Sequence, residues 1–68
     1  MEFLLITYPW EREVMIDGVG AGLTNQLITL QAGRYNISLA PPQDFFPPDQ
    51  DVVVRNSSPL DPVEVEFG

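Results

Sequence analysis

The 68-residue chain contains no cysteine, no histidine and no lysine. Without cysteine there is no disulfide framework, and without a Cys/His cluster there is no structural zinc site, so the fold rests on packing alone. The same absences remove the usual nucleophile–base pairs, because Ser-His, Cys-His and lysine-activated arrangements all lack a member. Positive charge is scarce too. Three arginines, Arg12, Arg34 and Arg55, face ten acidic residues, for a net charge of -7. A chain so acidic has no electrostatic footprint for a phosphate backbone or an anionic membrane, which excludes nucleic acid as an expected partner. Long apolar runs are missing as well. The opening Phe3-Leu4-Leu5-Ile6 is far shorter than the ~20 residues of a membrane span, so no membrane insertion is expected. It follows Glu2 and lacks the basic region, apolar length and small-residue cleavage site of a signal peptide. The expectation is a soluble chain without an export address, either a whole protein or one domain of a longer exported one.

Hydrophobic residues make up 44% of the chain and charged residues 19%, a balance that points to a folded domain and away from disorder. The length allows one domain, 1–68, which buries about 60% of the surface its unfolded chain exposes. The dominant hydrophobic period is two. Tyr35, Ile37 and Leu39 alternate with polar neighbours, as do Val63, Val65 and Phe67 with Glu64 and Glu66. With the β-branched run Val52-Val53-Val54 and the shorter 13–16 and 27–30, the pattern predicts six strands: 3–8, 13–16, 27–30, 34–39, 51–55 and 63–67. Asp17-Gly18 reads as a tight turn, and Gly20 and Gly22 as a flexible stretch after it. Ala32-Gly33 reads as a hairpin between the third and fourth strands. Pro41-Pro42 stops the fourth, and the proline-rich segment 41–50 is the longest loop, stiffened by its four prolines. No segment has a helical period. The fold class predicted is all-β: a small antiparallel β-sandwich of about six strands.

The first strand departs from simple alternation. Phe3 and Leu5 point to one side, Leu4, Ile6 and Tyr8 to the other, so both faces are apolar and both call for cover. The cover is expected from the Phe45-Phe46 loop or from a protein partner, a neighbouring domain or a second subunit. The predicted partner interface is Leu4, Ile6 and Tyr8, joined by Met15, with strand addition at an exposed sheet edge as the other route.

The turn residues carry a family resemblance. The succession Leu5-x-Thr7-x-Pro9, Val14-x-Ile16-Asp17-Gly18, Gly22-x-Thr24 and Leu30-x-Ala32-Gly33-x-Tyr35-x-Ile37-x-Leu39 resembles a PEGA domain. This is a small β-sandwich module of bacterial and archaeal proteins, often extracytoplasmic and often one unit of a larger chain. Phe45-Phe46 stands where the family has a Gly-Tyr pair, and Asn25 where it has a proline. The resemblance implies the sandwich fold, turn-defining roles for Asp17, Gly18, Gly22, Thr24 and Gly33, and a non-catalytic structural or interaction role without a cofactor.

Other chemistries compete on individual residues. Asp44, Asp49 and Asp51 share a loop and offer hard oxygen ligands for calcium, although the EF-hand spacing is absent and solvated carboxylates are the simpler reading. Glu64 and Glu66 line one strand face and read as a wet surface. The glycines at 18, 20 and 22 lack the lysine and following helix of a phosphate loop. Trp10, Phe45 and Phe46 sit at strand ends or in the long loop, where exposed rings stack on sugars. Hence the alternative function of a carbohydrate-binding module, set against the need for those rings in so small a core.

Overall fold

The computed structural model describes all 68 residues and contains seven strands in two sheets. The strands are β1 (Glu2–Thr7), β2 (Glu13–Ile16), β3 (Val19–Leu23), β4 (Leu27–Leu30), β5 (Gly33–Leu39), β6 (Gln50–Val54) and β7 (Val63–Glu66). One sheet has the order β4-β1-β7 and the other β3-β2-β5-β6. All pairs are antiparallel except β1 with β7, which run parallel with Leu4 beside Val63 and Ile6 beside Val65. The sheets enclose one core. Leu4, Ile6, Ile28 and Val65 come from the first sheet, and Val14, Ile37, Leu39 and Val54 from the second. The inward rows of β5 and β7 follow the alternation of the sequence, since Ile37, Leu39, Val65 and Phe67 are all buried.

Two expectations are corrected. The stretch after Asp17-Gly18 is not flexible but forms β3, an extra strand hydrogen-bonded to β2. Asp17 and Gly18 have φ of 51° and 81°, the type I′ geometry whose twist folds Val19 directly back onto Ile16. Glycine suits β3 for a packing reason: a Cβ on Gly22 would come within 2.9 Å of the Ile28 side chain in the opposite sheet. Nor is Ala32-Gly33 the turn of a hairpin. β4 pairs with β1 while β5 pairs with β2 and β6, so the link carries the chain from one sheet to the other. The Tyr35 hydroxyl braces that crossing by donating to the Gln31 carbonyl at 2.6 Å. Gly22 and Gly33 therefore lie inside strands, whereas the turn role of Asp17 and Gly18 stands.

The loop between β5 and β6 closes one end of the sandwich. Phe45 inserts there and meets the rings of Tyr8 and Phe67 edge-on, with centroids at 6.3 and 5.9 Å. The neighbouring Phe46 points out, while its backbone exchanges two hydrogen bonds with Gly68 at 2.7 and 2.8 Å.

Candidate functional site

The register of β1 decides which of its two apolar rows stays available. Leu4 lies opposite Ile28 and beside Val63, and Ile6 beside Val65, so this row meets the inward rows of both neighbours. Leu4 and Ile6 are fully buried and Tyr8 nearly so. The expected partner interface through Leu4, Ile6 and Tyr8 is thus corrected: these side chains build the core. Met15 does not join them either. It is half-buried, opposite Ser38 on the outer side of the second sheet.

The row left outward is Phe3, Leu5 and Thr7. Phe3 lies opposite Thr29 and Leu5 opposite Leu27, with Glu64 on the far side of Leu5 and Glu66 beside Thr7. Phe3 and Leu5 are half-buried, and Leu27 is 45% exposed. The outer face of the three-stranded sheet is therefore an apolar stripe, Phe3-Leu5-Leu27, with a carboxylate border at Glu64 and Glu66. No arginine shares this face. Arg34 stands opposite Val53 in the other sheet, Arg55 follows β6 there, and Arg12 is held in an ion pair.

Arg12 acts as a bracket for the proline-rich loop. Its Nη1 donates to the carbonyls of Ala40 and Pro42 at 3.1 and 2.9 Å and to Asp44 Oδ1 at 3.0 Å, while Nη2 donates to Asp44 Oδ2 at 3.3 Å. The hydrogen bonds from Arg12 hold the Asp44 carboxyl below the usual carboxylate range, and Asp44 in turn raises the guanidinium. The guanidinium also lies 5.6 Å from the centroid of the Tyr8 ring. A fork of charged hydrogen bonds thus ties the proline-rich loop to the residue before β2.

Thr24 and Asn25 hold the chain between β1 and β2. Thr24, the one buried polar residue, accepts a hydrogen bond from the Arg12 N–H and donates one to the Trp10 carbonyl, both at 2.8 Å. Asn25 adopts φ of 62° and acts as a one-residue strand partner. Its Oδ1 accepts from the Tyr8 N–H at 3.2 Å and its Nδ2 donates to the Tyr8 carbonyl at 2.8 Å. A proline, locked near φ of about −65°, does not fit this position. Sequence reasoning treated Thr24 as a turn residue only. The signal it missed is an isolated Thr-Asn between two apolar segments, a pair suited to bonding neighbouring backbone.

The aromatic platform is split. Trp10 is 66% exposed and meets Tyr8 edge-on at 5.6 Å, and Phe46 is exposed. Phe45 is buried in the core, so its expected place in a ligand platform is corrected. A groove of about 290 Å³ runs past Thr7, Pro9, Asn25 and Glu66.

The acidic loop residues are also divided. Asp44 belongs to Arg12, whereas Asp49 and Asp51 each accept a hydrogen bond from the Asn36 side-chain amide at 3.1 Å. No group of three or more carboxylates converges in a way that would hold a metal ion, which corrects the calcium alternative at Asp44, Asp49 and Asp51. Every buried side-chain nitrogen and oxygen has a partner inside the fold. The surface accordingly offers apolar contact and carboxylate acceptors. In comparisons with protein families, curated proteins and solved structures, nothing matches the chain.

Proposed function

We propose that this chain is a non-catalytic protein-interaction module that docks a partner on the outer face of the three-stranded sheet. The partner it suits presents apolar side chains flanked by lysine or arginine. The observation that carries the reading is the outward stripe of half-buried Phe3 and Leu5 with exposed Leu27, bordered by Glu64 and Glu66, with no arginine on the same face. Apolar area gives contact, and a border of one charge sign selects basic partners and disfavours stacking of two such faces. The PEGA-type identity belongs to the same proposal. Its support is the Asp17-Gly18 turn and the Gly22-x-Thr24 segment, whose threonine anchors the β1–β2 connection.

The test is a titration of the isotope-labelled chain with two peptides of equal positive charge, one alternating lysine with leucine and one alternating lysine with serine. The expected outcome is saturable shifts on β4, β1 and β7 from the leucine peptide only. Equal responses to both, or shifts centred elsewhere, contradict the docking face.

A second reading, glycan binding, is favoured by one observation: Trp10 is exposed beside Tyr8, which lines the groove with Pro9 and Asn25. Titration of Trp10 fluorescence with oligosaccharides separates the readings. A saturable change supports the glycan site, and an unchanged spectrum removes it.

A further inference from the structure

The four-stranded sheet ends at β6, and this edge differs from the others. β3 carries a bulge, with Val14 opposite Gly22 but Met15 opposite Gly20, a device that twists an edge away from pairing. β4 is approached by β3, where Ile28 packs over Gly22. On β7, the Glu66 carbonyl accepts a hydrogen bond at 2.8 Å from the side chain of Gln50, the first residue of β6, so the two edges meet at that corner and the open length of β6 begins at Asp51. β6 is five regular residues with no bulge, proline or lysine, and its backbone makes no hydrogen bond outside its ladder with β5.

Charge along this edge is self-complementary on reversal, acidic at Asp51, neutral at Val53 and basic at Arg55. Asp51 and Val53 are exposed and alternate with the inward Val52 and Val54, and the exposed Arg55 follows the strand directly. Asp51 and Val53 share the outer side of the sheet with Asn36 and Arg34, which lie opposite them on β5. Extending β6 by one residue on pairing sets Arg55 on that side as well. A second copy of β6 laid antiparallel and centred on Val53 places Asp51 opposite the partner's Arg55 and Arg55 opposite the partner's Asp51. Val53 then meets the partner's Val53 on the two-fold axis. On the inner side, Val52 meets the partner's Val54, which continues the core row across the junction. Opposite charges directly across an antiparallel pair stabilise it, as do β-branched pairs, and like charges there oppose it. This register also pairs residues of the same parity, so the outward N–H and C=O groups of one edge meet those of the other.

We propose that the chain forms a symmetric dimer by antiparallel pairing of two β6 edges, joining two four-stranded sheets into one. The interface is isologous, so it closes at two copies. It leaves the docking face on the three-stranded sheet free, and it stands or falls independently of that face.

Sedimentation equilibrium near physiological salt, over micromolar to millimolar protein, tests this, with far-ultraviolet circular dichroism to confirm that each variant is folded. The wild type is expected to dimerise. Val53→Lys sets two like charges on the axis and is expected to weaken the dimer at least about tenfold. Asp51→Arg alone and Arg55→Asp alone each oppose like charges and are expected to be monomeric. Because Asp51→Arg reduces the overall negative charge, its loss of dimer is not bulk repulsion. An equimolar mixture of these two variants restores both cross-strand pairs and is expected to form a heterodimer. A wild type that stays monomeric at millimolar concentration overturns the proposal. So does a dimer indifferent to Val53→Lys, or a mixture that remains monomeric.

Discussion

Thr24→Val is a substitution that hydrophobicity and strand propensity both favour, and the structure predicts that it destabilises. Valine has nearly the shape of threonine and no hydroxyl. At this buried position it strands the Arg12 N–H and the Trp10 carbonyl, each now bonded to Thr24 Oγ1 at 2.8 Å. Losing two such bonds, with the cost of leaving partly buried groups unpaired, amounts to about 2–3 kcal/mol. A chain of this length has a total stability of about 3–10 kcal/mol, so the loss is a large share of it. In a domain this small, each kcal/mol moves the melting point by about 4–8 °C, which places the shift at about 10–20 °C. Thr24→Ser keeps both hydrogen bonds, gives up one methyl and costs about 1 kcal/mol. Thermal melts followed by circular dichroism rank the three proteins as wild type, Ser, then Val. Amide exchange adds a local readout, since the Arg12 amide should lose protection first in the valine variant. A valine variant that melts with or above the serine variant refutes the reasoning.

Phe45→Ala removes the ring that joins Tyr8 to Phe67 and is expected to cost about 3–5 kcal/mol, whereas Phe46→Ala at the next residue changes stability by under about 0.5 kcal/mol. Urea midpoints check the contrast. Acid should weaken the fold through two named groups. Hydrogen bonds from Ser57 hold the Glu2 carboxyl below its ordinary range, as those from Arg12 hold Asp44. Both folded-state values lie below the unfolded ones, so the native state binds fewer protons. Their contribution is complete above the unfolded carboxyl range, about pH 4, and is lost as pH falls through the lowered folded values. Melts between neutral pH and about pH 2 should show a shallower acid loss in Glu2→Gln and Asp44→Asn than in the wild type.

What the sequence discloses of this fold depends on whether polar residues mark one side of a strand. In β5 and β7 they do: Arg34, Asn36, Glu64 and Glu66 alternate with the residues that end up inside. In β1 they do not, because both rows are apolar. Its inward row is fixed by the register with Ile28, Val63 and Val65, which is long-range information. That β1 carries two apolar rows is legible in the sequence, but which row stays outward is not, and Leu4, Ile6 and Tyr8 prove to be the buried one. β3 was hidden for a different reason. Val19-Gly20-Ala21-Gly22-Leu23 has little alternation, and it becomes a strand because a type I′ turn returns it to β2 and Ile28 needs the space at Gly22. Ala32-Gly33 shows that a short link allows either a hairpin or a change of sheet. Phe45 and Phe46 show the same limit on a smaller scale, since adjacent rings alternate and tertiary packing chooses between them.

The orientation of β1 is what the proposed docking face depends on, and solvent access to individual methyl groups reports it directly. In a methyl spectrum recorded with a soluble paramagnetic agent, the Leu27 signals should broaden most and the Leu5 signals to an intermediate degree. Leu4 and Ile6 should remain sharp, because both are fully enclosed between the sheets. Broadening of Leu4 and Ile6 with Leu5 protected would contradict the account.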